Sequence, residues 1–347
     1  MNYSFLLTLL LAFFVTYFLT RKFIDYFKSI KLLAKDLHKP NKPVLPTSGG
    51  VPVAFGIIIS LLFYVGLQTF LFDNFEESVL LLSIISSILL VTFIGLFDDL
   101  KHPLGKSNYE IKRINKRFVK AKSGLPQRKW LLTLPAAIPL MVINAGETTL
   151  TLPIFGAINF GILYPLILIP IGFVGASNAI NLIGGFNGCE AGMGIIYLLS
   201  LGILAIFTNN FISILFFASV ASLIAFLIFN WYPAKILPGD TLTYLLGAIV
   251  ANGVIVGNME KAGIILLTPF IIEFFLKART KFKASCLGKL RKDGKLDPPY
   301  GKNIYSITHL LMNLKPMNEK EVTISLILIE IIVAIFLFLN TFYFSLI

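Results

Sequence analysis

Apolar residues in this chain come in long continuous runs separated by short polar stretches, a pattern that differs from both the strict alternation of an exposed strand and the single stripe of a surface helix. The runs lie near residues 3–20, 50–70, 78–97, 130–145 and 159–177, and again near 189–207, 211–230, 241–257, 261–276 and 322–346. Each approaches the length of about 20 residues needed to cross a hydrocarbon core of about 30 Å. The pattern predicts an all-α, polytopic integral membrane protein of about ten transmembrane helices, organised as one transmembrane domain over residues 1–347.

The basic residues orient the helices. Seven Lys and Arg fall between the first and second runs, ten between the third and fourth, and eleven between the ninth and tenth. Lys235 adds one between the seventh and eighth, so of the 30 only Lys261 lies in a connection of opposite parity. Cytoplasmic loops carry the excess of Lys and Arg. The loops about 21–48, 98–129, 178–188, 231–240 and 277–321 are therefore expected in the cytoplasm, with both termini outside. The first run has no basic segment before it and is followed by Arg21-Lys22, as expected of a retained span.

Composition strengthens this picture. With 56% hydrophobic and 14% charged residues, the chain is excluded from the water-soluble class. Topology accounts for most of the net charge of +12, although anionic lipid head groups or a phosphorylated substrate would use the same loops. No nucleic-acid-binding module accompanies the charge, so no such partner is expected. Cys189 and Cys286 form neither a disulfide framework nor a metal-ligand cluster. No internal repeat of the transporter kind is evident.

Polar residues that do not belong in a bilayer gather at one face of this topology. Asp98-Asp99 ends the third helix, while Asn178 and Asn181 share a helical face at the end of the fifth. The segment from Asn178 to Gly192 then runs through Gly184, Gly185, Asn187, Gly188 and Glu190, and Gly239-Asp240-Thr241 opens the eighth helix. Lys39 to Gly50 leads into the second helix, and Arg279 and Lys281 begin the last loop. Each patch has an ordinary structural account: a solvated helix end, interhelical packing, N-capping by Asp240, a rigid Pro/Gly entry. Together they suit a metal-phosphate site. Mg2+ prefers oxygen ligands and is usually held by one or two carboxylates plus substrate phosphates. Asp240 and Asn181 could supply the protein oxygens, with Lys and Arg offsetting phosphoryl charge. Glycines 184, 185 and 188 would let the backbone approach a ligand closely.

These motifs resemble the polyprenyl-phosphate N-acetylhexosamine-1-phosphate transferase family (glycosyltransferase 4 family). The similarity runs from about Asp36 to the last helix. It rests on Asp36-Leu37-His38-Lys39 with Pro46-Thr47-Ser48-Gly49-Gly50, on Asn178-Ala-Ile-Asn181 followed by Gly184-Gly185-Phe186-Asn187-Gly188-Cys189-Glu190-Ala191-Gly192, and on Asn230-Trp231-Tyr232-Pro233 before Gly239-Asp240-Thr241. The neutral Gly184 and Asn187, where the bacterial branch usually has aspartates, place the resemblance closest to the archaeal and eukaryotic branch. The resemblance implies transfer of N-acetylglucosamine-1-phosphate from UDP-N-acetylglucosamine to dolichyl or another polyprenyl phosphate, the first step of lipid-linked oligosaccharide assembly for N-glycosylation. It also implies a multi-pass cell-membrane enzyme with its active site facing the cytoplasm. A homodimer is left open.

Carried over by position, Asn181 and Asp240 would hold Mg2+, with Mn2+ as an alternative. Asp98 and Asp99 would sit beside the metal and the lipid phosphate, and Lys129 would contact the diphosphate. Asn187, with Gly185, would meet the uracil, and Asn178 would brace the cluster. Lys39, Ser48, Gly49 and Glu190 belong to the substrate-binding motifs. Arg279-Thr280-Lys281 stands where the eukaryotic branch has Arg-His-Arg, so the basic contact there survives only as charge. Residues 102–127 add a basic insertion, expected to be a solvated or membrane-surface loop.

A lipid monophosphate, with a second pKa of about 6, is largely dianionic at neutral pH and needs no strong base. Direct attack on the β-phosphorus of the UDP-sugar is expected, with a two-step path through an aspartyl-phosphate as the competing mechanism. Two rival functions remain. One is the same reaction with another UDP-acetamido sugar, such as the muramoyl-pentapeptide donor of wall synthesis; the other is a nucleotide-sugar or lipid transporter without chemistry.

Overall fold

The computed structural model describes residues 3–72, 75–101, 129–152, 156–208 and 210–344. Its helices are α1 (Tyr3–Ser29), α2 (Gly50–Leu71), α3 (Phe75–Leu100), a 3-10 turn (Lys129–Ala137) leading into α4 (Ile138–Val142), and a π turn (Tyr164–Leu168) leading into α5 (Ile169–Ile180). They continue with α6 (Cys189–Phe207), α7 (Ser213–Asn230), α8 (Gly239–Val256), α9 (Glu260–Leu266), α10 (Thr268–Ala278), α11 (Ile307–Leu314) and α12 (Glu319–Leu339). Three two-stranded antiparallel hairpins complete the described structure: β1 (Leu33–Lys35) with β2 (Val44–Pro46), β3 (Thr149–Leu152) with β4 (Gly156–Asn159), and β5 (Lys289–Leu290) with β6 (Leu296–Asp297).

Each predicted apolar run contains helix, and the chain is an all-α polytopic membrane protein. Among the described residues, seven helices are long and apolar enough to cross a membrane: α1, α2, α3, α6, α7, α8 and α12. The other three runs are shorter or broken, and proline explains each case, since it lacks an N–H and cannot continue the ladder. Pro135 lies inside the 3-10 turn, Pro165 and Pro170 sit at the starts of the π turn and α5, and Pro269 opens α10 just after α9 ends. The first helix runs on to Ser29, nine residues beyond the apolar run, so the first loop begins later than the expected position 21.

The innermost helix is α8, buried at every position from Thr241 to Val256. Against it pack α3, α5 and α2, while α7 packs on α1 and α6, and α12 closes on α6. At its N-terminal end backbones meet: a Cβ on Gly50 would lie 2.3 Å from Leu242 N, and one on Gly95 would lie 2.5 Å from Thr241 Cα. Only glycine permits α2 and α3 to come so close to the turn that carries Asp240. Deeper in the bundle, polar side chains tie helices together, as lipid offers no competing partner. Asn252 donates to Ser87 Oγ at 3.1 Å, and Ser87 donates to the Ala136 carbonyl at 2.7 Å, seating the 3-10 turn on α3 and α8. On the outside, Phe14, Leu62, Phe97 and Ile335 are exposed, as suits a surface that faces acyl chains.

Candidate active site

The ends of α3, α5 and α10, the starts of α6 and α8, and the β1–β2 hairpin surround a cavity of about 430 Å3. Of the predicted residues, Asp98, Asp99, Asn181, Gly185, Glu190 and Asp240 line it. They arrive from three segments far apart in sequence. The hydroxyl of Tyr244, one turn into α8, donates to Asp98 Oδ2 at 3.3 Å and also hydrogen-bonds the Asn181 side chain. Tyr244 thus ties two of the oxygen-bearing side chains into one face of the cavity, beside Asp240.

Asp99 has a different environment from Asp98. Its Oδ1 accepts Asp240 N–H at 2.8 Å, and its Oδ2 accepts Ser48 Oγ at 2.8 Å, Thr241 Oγ1 at 2.6 Å and Thr241 N–H at 3.3 Å. The first N–H groups of a helix have no partner within it. Asp99 supplies that partner from another helix, which accounts for an acidic residue at the C-terminal end of α3, where the helix dipole disfavours it. Ser48 belongs to this cluster, and Gly49 N–H bonds the Leu237 carbonyl at 3.0 Å, closing the second loop onto the turn before α8.

The glycine-rich segment is shaped by Glu190. Its Oε1 accepts Gly185 N–H at 2.8 Å, and a Cβ on Gly184 would lie 2.5 Å from that same oxygen. Gly185 and Gly188 have φ of +84° and +76°, the left-handed region. The absence of side chains here therefore serves the turn and the Glu190 carboxylate as well as any ligand.

Asn187 is buried and does not line the cavity. Its Oδ1 accepts Lys39 Nζ at 2.6 Å and Ala234 N–H at 3.0 Å, and its Nδ2 donates to Asp36 Oδ2 at 3.2 Å. Lys39 also pairs with Asp36 at 2.9 Å, forms an ion pair with Glu319, and lies 4.4 Å from the Tyr232 ring centroid. Four connections are locked together by this network. His38 stacks on Phe186, with ring centroids 4.5 Å apart, and its Nε2 accepts Gly288 N–H at 3.3 Å. Burial pushes its pKa down to about 4, against the opposing pull of Asp36.

Asn178 faces away from the cavity, donating to the Trp130 carbonyl at 3.1 Å and Thr133 Oγ1 at 3.3 Å, so it braces the 3-10 turn. Arg279 and Lys281 are exposed, and Arg279 sits over the Tyr305 ring at 5.7 Å, outside the cavity lining. The buried cation that does line the cavity is Lys277. The side chain of Lys129 and the insertion 102–127 lie outside the described residues. Lys277, Tyr244 and Glu319 are not among the predicted site residues, and Asp36 and Thr241 enter the prediction only as motif members; the spacing Glu273–Lys277, i to i+4 on one helix face, is the available signal for the first.

A membrane-embedded bundle with a polar cavity at one end that gathers carboxylates, an amide and a lysine defines a membrane enzyme class that handles charged substrates at the bilayer surface. The chain belongs to glycosyl transferase family 4, whose model matches residues 81–258. It is 34% identical, over 95% of its length and 94% of the relative's, to a protein of Saccharolobus solfataricus provisionally named UDP-N-acetylglucosamine–dolichyl-phosphate N-acetylglucosaminephosphotransferase. It is 24% identical to the protein of that name from Dictyostelium discoideum, over 91% of this chain and 83% of the relative. A phospho-N-acetylmuramoyl-pentapeptide-transferase of Halalkalibacterium halodurans is 34% identical over a smaller share, 77% of this chain and 79% of the relative.

Proposed function

We propose that this protein transfers N-acetylglucosamine-1-phosphate from UDP-N-acetylglucosamine to a dolichyl or other polyprenyl phosphate, giving the polyprenyl-diphosphate-sugar and UMP. The observation that carries the proposal is the convergence of Asp98, Asn181 and Asp240 on one cavity at the end of the bundle. The full-length similarity to relatives named for this reaction supports the same choice over the muramoyl donor, as do the neutral residues Gly184 and Asn187. Near-complete segregation of Lys and Arg supports an active site facing the cytoplasm and termini facing outward.

The donor set fits Mg2+. Asp98 and Asp240 offer carboxylate oxygens and Asn181 its amide oxygen, and substrate phosphate and water normally complete such a site. Among the described residues no three His, Cys, Asp or Glu side chains group as a metal cluster. When bound there, Mg2+ would neutralise phosphoryl charge. The cavity is otherwise rich in carboxylates, which repel a diphosphate. Asp99 holds the turn that presents Asp240, and Tyr244 orients Asp98 and Asn181. Lys129, at the start of the 3-10 turn, is proposed to reach the diphosphate.

In the reaction a phosphate oxygen of the lipid forms the new bond to the β-phosphorus, the bond from that phosphorus to the bridging oxygen breaks, and the oxygen leaves with UMP. Asp99 is a poor candidate for a covalent intermediate, since both its oxygens accept hydrogen bonds from the α8 turn and Ser48. An Asp98 adduct is the remaining two-step alternative. It predicts stoichiometric UMP from enzyme and nucleotide sugar without lipid, whereas direct attack predicts none.

The test is UMP release by purified protein in detergent with dolichyl phosphate and UDP-N-acetylglucosamine, with and without Mg2+. Lipid-dependent and Mg2+-dependent UMP that is lost in Asp240→Ala is expected. Turnover with a different UDP-sugar only would overturn the donor. A folded protein silent with every donor and lipid would leave binding or transport without chemistry.

A further inference from the structure

We propose that Lys277, alongside Lys129, binds the diphosphate of the nucleotide donor, a contact that the exposed Arg279 and Lys281, outside the cavity lining, do not make. The proposal rests on the transferase function above and names the residue that meets the donor's charge. Five carboxylates border the cavity, from Asp36, Asp98, Asp99, Glu190 and Asp240, against the ammonium groups of Lys35 and Lys277. Lys35 is exposed, whereas Lys277 is buried. A buried ammonium is screened little by water or salt, so it acts on a bound anion far more strongly than an exposed one.

The surroundings of Lys277 are built to hold that charge in place. An ammonium has three N–H donors. One goes to the Leu182 carbonyl, next to Asn181, and Glu273 Oε1 lies 3.5 Å away on the preceding turn of α10. Glu273 is shared between two sites: its Oε1 faces Lys277 and has no hydrogen-bond partner of its own, while its Oε2 accepts Ser306 Oγ at 3.0 Å and Ile307 N–H at 2.8 Å, at the start of α11. Part of the Glu273 charge is therefore taken up by a helix N-terminus, and Lys277 is left only partly compensated at the cavity wall. The neighbouring Cys286 thiol, held by the Gly184 carbonyl at 3.3 Å and pushed up in pKa by burial, stays neutral and does not compete for the lysine.

The two charges are tested together, because Lys277→Met alone would strand Glu273 without its partner. The double variant Glu273→Gln/Lys277→Met removes both and keeps an acceptor for Ser306. With full-length protein in detergent and Mg2+, the affinities of uridine, UMP, UDP and UDP-N-acetylglucosamine are measured by competition. UDP and the UDP-sugar should bind about 10- to 100-fold more weakly than to the wild type, with uridine unchanged. Equal weakening of uridine and UDP would mark Lys277 as a structural residue and overturn the proposal. So would unchanged UDP affinity in a folded variant. Wild-type protein that binds UDP through Lys277 but turns over no N-acetylglucosamine donor would overturn the proposed substrate and leave this assignment standing.

Discussion

Asp99→Asn separates a positioning role from a chemical one. The substitution preserves volume but leaves one acceptor oxygen where the carboxylate had two. Kept at the Oδ2 position, that oxygen still accepts Ser48 Oγ and both Thr241 donors, and the new NH2 then faces Asp240 N–H, which sits 2.8 Å from Oδ1. One charge-assisted bond is lost, three are weakened to neutral ones, and the negative charge at the N-terminus of α8 disappears. At about 1.5–3 kcal/mol for a bond to a charged group and 0.3–1 kcal/mol for the helix-end charge, the loss comes to about 3 kcal/mol. Because Asp240 rides on this turn, turnover should fall together with stability, by about 100-fold for a displacement near 1 Å. Thermal unfolding in detergent and UMP release are measured on the same preparations, alongside Ser48→Ala, which removes one Asp99 bond from outside and should move both readouts in the same direction by less. An Asp99→Asn protein as heat-stable as the wild type but without activity would refute the positioning argument and return Asp99 to the chemistry.

Lys39→Met leaves Asp36 and Glu319 buried without their shared ammonium, and should cost about 3–5 kcal/mol, read as early thermal unfolding. Gly184→Ala places a Cβ 2.5 Å from Glu190 Oε1, which must swing away from Gly185 N–H; the donor KM should rise about tenfold with a smaller change in kcat, and an unchanged KM would sink this account of the glycine. His38 is held neutral in the fold, with a pKa near 4 against 6.5 for the free side chain. The unfolded chain therefore takes up the proton first, and stability falls as pH drops from 6.5 to about 4, by about 3 kcal/mol in all. His38→Gln should lose less stability over that window, measured by unfolding at fixed pH values; equal acid sensitivity would show that other groups dominate.

The sequence made some of this legible because the information is local. Asp98, Asn181 and Asp240 each lie in short polar segments that interrupt apolar runs, and alternation of the helices brings those interruptions to one end. What it hid depends on rotation and burial. Lys277 and Arg279 look alike as basic residues closing one helix, yet two positions apart they differ by about 200° around the axis; Lys277 shares the inward face with Glu273, and Arg279 faces out. The break at Pro269 was present in the ninth run as a single residue, but only the packing of α9 and α10 shows where the chain bends. Asp99 read as a twin of Asp98 because adjacent residues share every local property except the direction of the side chain.

Asn187 shows how far the site depends on contacts that no local pattern encodes. A carboxamide can accept two hydrogen bonds and donate two. Lys39 and Ala234 occupy the acceptor and Asp36 takes one donor, so at most one N–H remains for a ligand, from a side chain that is buried and off the cavity wall. The backbone of the same residue is committed as well, its N–H to Glu319 Oε1 at 2.8 Å and its carbonyl to Thr323 Oγ1 at 3.1 Å. Direct reading of a base by Asn187 would therefore require part of this network to open. The arrangement better suits a fixed pin, beside which Gly184 and Gly185 line the cavity and Phe186 stacks on His38, while Lys39, Asp36 and Glu319 hold the loop to α12. On this view the amide matters through its neutrality and its two-sided bonding, because an aspartate here would oppose Asp36 and Glu319 and forfeit the bond that Nδ2 donates. The chemistry of the segment then rests on its neighbours, with Glu190 shaping the glycine turn and Lys277 donating to the Leu182 carbonyl, next in sequence to Asn181.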